Sequence, residues 1–138
     1  QRQMCIRDRN SIESNRKRSE IISAAHIYRG CAIACTAPGT ENARLLSAQA
    51  ADELLEVSGV KASFVIFDSG NDSVNISARS YGDLNVQIIM EYLGGGGHRT
   101  MAAAQLTGVN MEEAKSKLCE AIDAKYPRTD DEEPTPIS

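Results

Sequence analysis

The chain has no tryptophan, two phenylalanines and two histidines among 138 residues. A hydrophobic core must therefore be built from Ala, Ile, Leu and Val. No run of about eighteen apolar residues is present, which excludes a transmembrane helix within this segment. No apolar stretch follows the basic opening residues as a secretory signal requires, so the segment is expected to be cytosolic. Two-metal phosphoryl hydrolysis needs Asp and His ligands clustered around ions about 4 Å apart. His26 and His98 are the only histidines, and no Asp-His-His run accompanies either. A serine nucleophile elbow is missing, and no spacing suggests a Cys–His pair. By itself this chain should not catalyse hydrolysis.

Cysteines are few, and their placement excludes a disulfide framework. Cys31 and Cys35 fall on one strand-like run, where four residues span roughly 13 Å, too far to bridge. They read as small buried hydrophobes in a reducing compartment. What is present is the composition of one soluble globular domain, with 41% hydrophobic and 25% charged residues. The net charge of −4 is unevenly placed, with six basic residues in the first eighteen. Residues 19–126 hold eight Lys and Arg against thirteen Asp and Glu. Long nucleic acids are held mainly by phosphate neutralisation, which an acidic core serves poorly. A small anionic ligand at one local site fits better.

Along the chain, Gln1 to Arg9 is basic, has no apolar period and reads as non-native translated adapter sequence. Asn10 to Ala25 is helical in pattern, a linker leading in from another domain. Ala24–Tyr28 and Cys31–Thr36 predict a hairpin turning at Arg29-Gly30. Ala43–Val57 carries Leu46, Ala50, Leu54 and Val57 on one helical face, with Gly59 as a stop. Ala62–Asp68 and Ser73–Arg79 flank a turn at residues 69–72 and predict a second hairpin. Asn85 caps a short helix, Asn85–Leu93, bearing Val86, Ile89, Met90 and Leu93 on one stripe. Met101–Leu106 reads as a last strand, and Asn110–Tyr126 as a last helix with Ala114, Leu118, Ala121 and Ile122 inward. The three prolines and acidic run of residues 127–138 predict a disordered tail. The order ββαββαβα implies an α/β (α+β) fold, a mixed sheet of about five strands covered by helices.

The strongest chemical signal is Gly94-Gly95-Gly96-Gly97-His98. Four glycines strip every Cβ from a stretch of backbone, so another group can approach it closely. Successive N–H groups there could cradle an anion, with His98 adding a donor. The plainer alternative is a helix C-cap with a flexible loop. A Walker A loop would need Gly-Lys-Ser/Thr, and the third glycine of GxGxxG would fall on Arg99. Arg79, in Ile76-Ser77-Ala78-Arg79-Ser80, ends the second hairpin and could fork onto a phosphate from the sheet's edge, or be a solvated strand-end arginine. Arg99 beside the loop carries the same ambiguity. His26 reads as a structural, satisfied histidine.

The set Ile76-Ser77-Ala78-Arg79-Ser80, Asn85-Val86-Gln87, Met90-Glu91 and Gly94-Gly95-Gly96-Gly97-His98 with Ala102-Ala103 resembles the DHH-associated domain of membrane-anchored cyclic-di-AMP phosphodiesterases. Ser19–Tyr28 and Leu46–Leu54 extend the similarity, which runs from about Arg18 to Tyr126. The resemblance implies that residues 26–126 are a substrate-binding domain and that residues 10–25 link it to a DHH lobe holding the manganese. It implies hydrolysis of cyclic-di-AMP to pApA in a homodimeric parent, with this domain cytoplasmic and binding no metal. Gly94, Gly95, Gly96, Gly97 and His98 would line the substrate site, with Arg79 and Ser77 supporting it and Arg99 and Ser80 as further candidates. Oligoribonucleases and RecJ-type exonucleases of the superfamily usually carry GGGH, two residues and Ala-Ala-Gly. Here three residues separate His98 from Ala102, and Ala104 stands where Gly would. That departure favours the cyclic dinucleotide, while pApA or a short oligonucleotide could occupy the same groove.

Overall fold

The structure, a computed structural model, describes residues 2–37, 39–70 and 72–126, with side chains from Ile12 onward. The acidic tail expected after Tyr126 lies outside the described residues. Ten elements follow in order: α1 (Arg2–Ser23), β1 (His26–Tyr28), β2 (Cys31–Cys35), α2 (Ala43–Leu55), β3 (Ala62–Gly70), β4 (Ser73–Ser80), α3 (Val86–Tyr92), β5 (Gly96–Gly97), β6 (Met101–Thr107) and α4 (Met111–Lys125). The class is the expected one, with six described strands where about five were predicted. Helical backbone already covers residues 2–9, which showed no apolar period.

The strands form one sheet in the order β1-β2-β3-β4-β6-β5. Only β2 and β3 are parallel. A parallel pair needs a crossover, and α2 supplies it. Arg29 and Gly30 both take positive φ (53° and 80°), as a two-residue primed turn requires to match the twist of β1 and β2. At the second hairpin the register shifts between Asp68 and Gly70.

Strand alternation sends side chains to both faces, and helices cover both. On one face Ile33, Phe64, Ile66 and Ile76 meet Ile89 and Met90 of α3 and Leu118 and Ile122 of α4. On the other, Ala32, Ala34 and Val65 pack against Ile21 of α1 and Leu46, Ala50 and Leu54 of α2. Small residues let α2 come close, and Ser63 Oγ donates to the Ala51 carbonyl at 2.5 Å. Val57, placed on the apolar face by its spacing, is 50% exposed, because α2 ends at Leu55 and the helical period no longer governs it. Asn85 caps α3 by accepting from Gln87 N. Asn110 and Glu113 form a reciprocal capping box on α4.

Cys31, Cys35 and Cys119 are thiols and form no disulfide. Cys31 is buried, and burial pushes the half-buried Cys35 and Cys119 thiols up. His26, expected to be a structural histidine, is exposed where it opens the edge strand β1. Tyr28 ties β1 to α4 by donating to both Asp123 carboxylate oxygens at 2.9 and 2.8 Å. Burial, then that hydrogen bond and the carboxylate charge, push its phenol up to about 12.

Candidate functional site

Helix α2 lies over β3 and β4, and the same face of β6 is left open. Met101, Ala103, Gln105 and Thr107 are exposed there, while Ala102 and Ala104 face α3. The register makes this open face a grid. Arg79 sits opposite Met101, Ser77 opposite Ala103, and Asn75 opposite Gln105. Antiparallel partners share a face, so Asn75, Ser77 and Arg79 project to the α2 side in successive rows roughly 7 Å apart. On the far side of β6, Gly96 pairs with Ala103 and Gly97 with Ala102.

The glycines are the outer strand of a hairpin and not a free loop. His98 N donates to Met101 O at 2.7 Å and Met101 N returns a bond to His98 O at 3.3 Å, closing a four-residue turn. Gly94 N and Gly95 N donate to the Glu91 and Met90 carbonyls at 3.0 and 2.7 Å. Antiparallel bonds alternate, so Gly96 exchanges with Ala103 while the Gly97 N–H points outward from the sheet edge. Of the five amides from Gly94 to His98, only that of Gly97 is left facing out, fewer than the expected cradle. The close approach that the glycines permit is made by β6. A Cβ on Gly95 would lie 2.1 Å from Ala103 O, and one on Gly97 would lie 2.5 Å from Ala102 Cα.

Arg79 lies next to last on an interior strand and not at the sheet's edge, because β6 is inserted between β4 and the glycine strand. Its side chain is 13% exposed; Nε donates to Asp52 Oδ1 of α2 at 3.0 Å. Nη1 donates to the Ala78 carbonyl at 2.9 Å. Five N–H groups are available on a guanidinium, so the Nη2 pair and one on Nη1 remain for a ligand. Asp52 thus fixes the fork. His98 is exposed, in the same row as Met101 and Arg79. Ser77 is 8% exposed and walls the cleft. Ser80 and Arg99 tie the turn together: Ser80 Oγ donates to Arg99 O at 3.1 Å, and Arg99 Nε donates to Gly82 O at 2.7 Å.

A cleft of about 390 Å³ lies over this grid, lined by Gly94, Gly95, Ser77, Asn75, Phe67 and Arg44 among others. Arg44, Phe67 and Asn75 were not singled out from the sequence. Only Asn75 left a trace there, as a polar side chain at a strand position whose neighbours are apolar. Among the described residues no group of three or more His, Cys, Asp or Glu side chains could hold a metal ion. They do not fit a manganese centre. No helix among them is long and apolar enough to cross a membrane.

A family model described as the DHHA1 domain matches residues 31–126. The chain is 52% identical over 115 residues to the cyclic-di-AMP phosphodiesterase GdpP of Geobacillus thermodenitrificans, covering 83% of this chain and 18% of that protein. It is 47% identical over 111 residues to the cyclic-di-AMP phosphodiesterase PdeA of Listeria monocytogenes, covering 80% and 17%. It therefore spans less than a fifth of the length of these curated relatives. Among solved structures, an exopolyphosphatase-related protein of Bacteroides fragilis shares the fold with a TM-score of 0.68 at 20% identity, over 80% of this chain and 34% of that one. With the family match running from β2 to the end of α4, through the glycine hairpin and Arg79, the chain belongs to the DHHA1 domain family.

Proposed function

We propose that this chain is the substrate-binding lobe of a cyclic-di-AMP phosphodiesterase. The hydrolysis to pApA is assigned to a DHH lobe elsewhere in a dimeric, membrane-anchored parent, which supplies the manganese; this lobe, on the cytoplasmic side, is inert alone. The observation that carries the reading is the grid on the open face. Ser77, the Asp52-oriented Arg79 and His98 stand together beside the outward Gly97 N–H, next to a cleft sized for a nucleotide. The relatives that share 52% and 47% identity bear that activity in their names. Arg79 would fork onto a phosphate, His98 would add a donor, and the outward Gly97 N–H is the one amide the glycine strand would offer the ligand. The residues position and shield the dinucleotide.

The second reading, an oligonucleotide-binding lobe or one of a RecJ-like exonuclease, has the acidic balance of residues 19–126 against it. Titrating the chain with cyclic-di-AMP, pApA and a single-stranded oligonucleotide at two salt concentrations separates the two. Amide shifts at Ser77, Gly97 and His98 with the dinucleotides are expected. Tight, steeply salt-dependent oligonucleotide binding without a dinucleotide response would reverse the assignment.

A further inference from the structure

At the end of the cleft away from His98, Arg44 in the first turn of α2 lies with its guanidinium carbon 5.6 Å from the Phe67 ring centroid. Phe67 is 2% exposed, whereas Arg44 is exposed, so the guanidinium is the accessible layer over a fixed aromatic floor. Beside it, Asn75 pairs with Phe67 across β3 and β4. Asn75 is 6% exposed, lines the cleft, and its Oδ1 is buried with no hydrogen-bond partner. A buried carbonyl left unpaired is destabilising, and an apolar side chain of similar size would relieve it. A residue that costs stability in the free protein marks a place where function has overridden packing.

Building on the phosphate site assigned above, we propose that Arg44 on Phe67, together with the amide of Asn75, is a nucleobase subsite. The planar base of a purine nucleotide stacks on the guanidinium, and its edge meets the Asn75 amide. Bases stack on arginine planes as they do on aromatic rings. Asn75 and Arg79 are four residues apart on β4, roughly 13 Å. A nucleotide with its phosphate toward Arg79 and its base toward Arg44 lies along that strand. Ser77, between them, faces the sugar.

The test compares adenosine 5′-monophosphate with ribose 5-phosphate on the chain and on three variants, by NMR titration. Arg44→Lys should weaken the nucleotide by about tenfold and leave ribose 5-phosphate unchanged, because lysine keeps the charge and loses the plane; Arg44→Ala should weaken the nucleotide at least as much. Asn75→Leu should weaken the nucleotide likewise while its urea midpoint stays level or rises. A merely structural Asn75 would not separate those two readouts. Undiminished nucleotide binding by Arg44→Lys and Asn75→Leu, or equal loss of both ligands, would overturn the base subsite and leave the phosphate site standing. A wild-type chain that responds to neither ligand would overturn the phosphate site as well.

Discussion

Replacing Gly95 by alanine would set a Cβ 2.1 Å from Ala103 O and 2.6 Å from Ala104 Cα, where ordinary contact begins at 3.4 Å. The overlap with the carbonyl is therefore about 1.3 Å, and both obstructing atoms are backbone, so no rotamer change relieves it. Overpacking costs about 1–3 kcal/mol or more, enough to detach β5 from β6 in a domain of ~5–15 kcal/mol total stability. Gly97→Ala meets Ala102 Cα at 2.5 Å and must also hold φ +145°, which adds strain of about 1–3 kcal/mol. Gly94 has φ +91° with nothing within 4 Å of the place a methyl would take, so alanine there costs only the left-handed backbone, about 1–2 kcal/mol. Gly96 has neither obstruction nor positive φ, and alanine should be neutral or stabilise by up to about 1 kcal/mol. Urea midpoints of the four variants, with hydrogen exchange at the Ala103 amide as the local probe, give the ranking. Faster Ala103 exchange is expected in Gly95→Ala and Gly97→Ala alone. Equal costs at all four positions, or the largest at Gly96, would refute the close strand contact as the reason for the glycines.

Tyr28, with its phenol pushed up to about 12 from the ordinary value of 10, holds more protons in the folded chain than in the unfolded chain between those values. Its contribution is fully present below pH 10 and is lost as pH rises toward 12. Denaturation at pH 8 and pH 11 should therefore show a drop in the wild type that Tyr28→Phe lessens; an identical drop in both would contradict the raised Tyr28 phenol as its source. Asn110→Ala removes one arm of the α4 capping box and should cost about 1 kcal/mol. An unchanged urea midpoint would show that the cap contributes nothing.

Much of the fold was legible because it is written in side chains. The stripes Val86-Ile89-Met90-Leu93 and Ala114-Leu118-Ala121-Ile122 mark helix faces that are buried as read except at Leu93, which is half-buried at the C-cap of α3. Asn85 and Asn110 cap where their short polar side chains predicted. The glycine strand was not legible, because β5 has no side chains with which to display a period of two. The order β4-β6-β5 was hidden too, since strand insertion is decided by tertiary pairing. That insertion moves Arg79 off the expected sheet edge and turns the four-glycine run from an open anion loop into a packed hairpin arm. Arg44, Phe67 and Asn75 are brought together by the β2–α2–β3 crossover and the β3–β4 register, which no local spacing encodes.

If the open face around Arg79 and His98 positions a cyclic dinucleotide for hydrolysis, removing the imidazole must slow the reaction. The measurement is steady-state hydrolysis of cyclic-di-AMP by the parent protein, wild type against His98→Ala. His98 is exposed and its turn is held by backbone bonds, so the variant should keep its urea midpoint while kcat/KM falls by about tenfold or more, as for loss of a charge-assisted contact to phosphate. Unchanged kcat/KM in a folded His98→Ala enzyme would contradict the account.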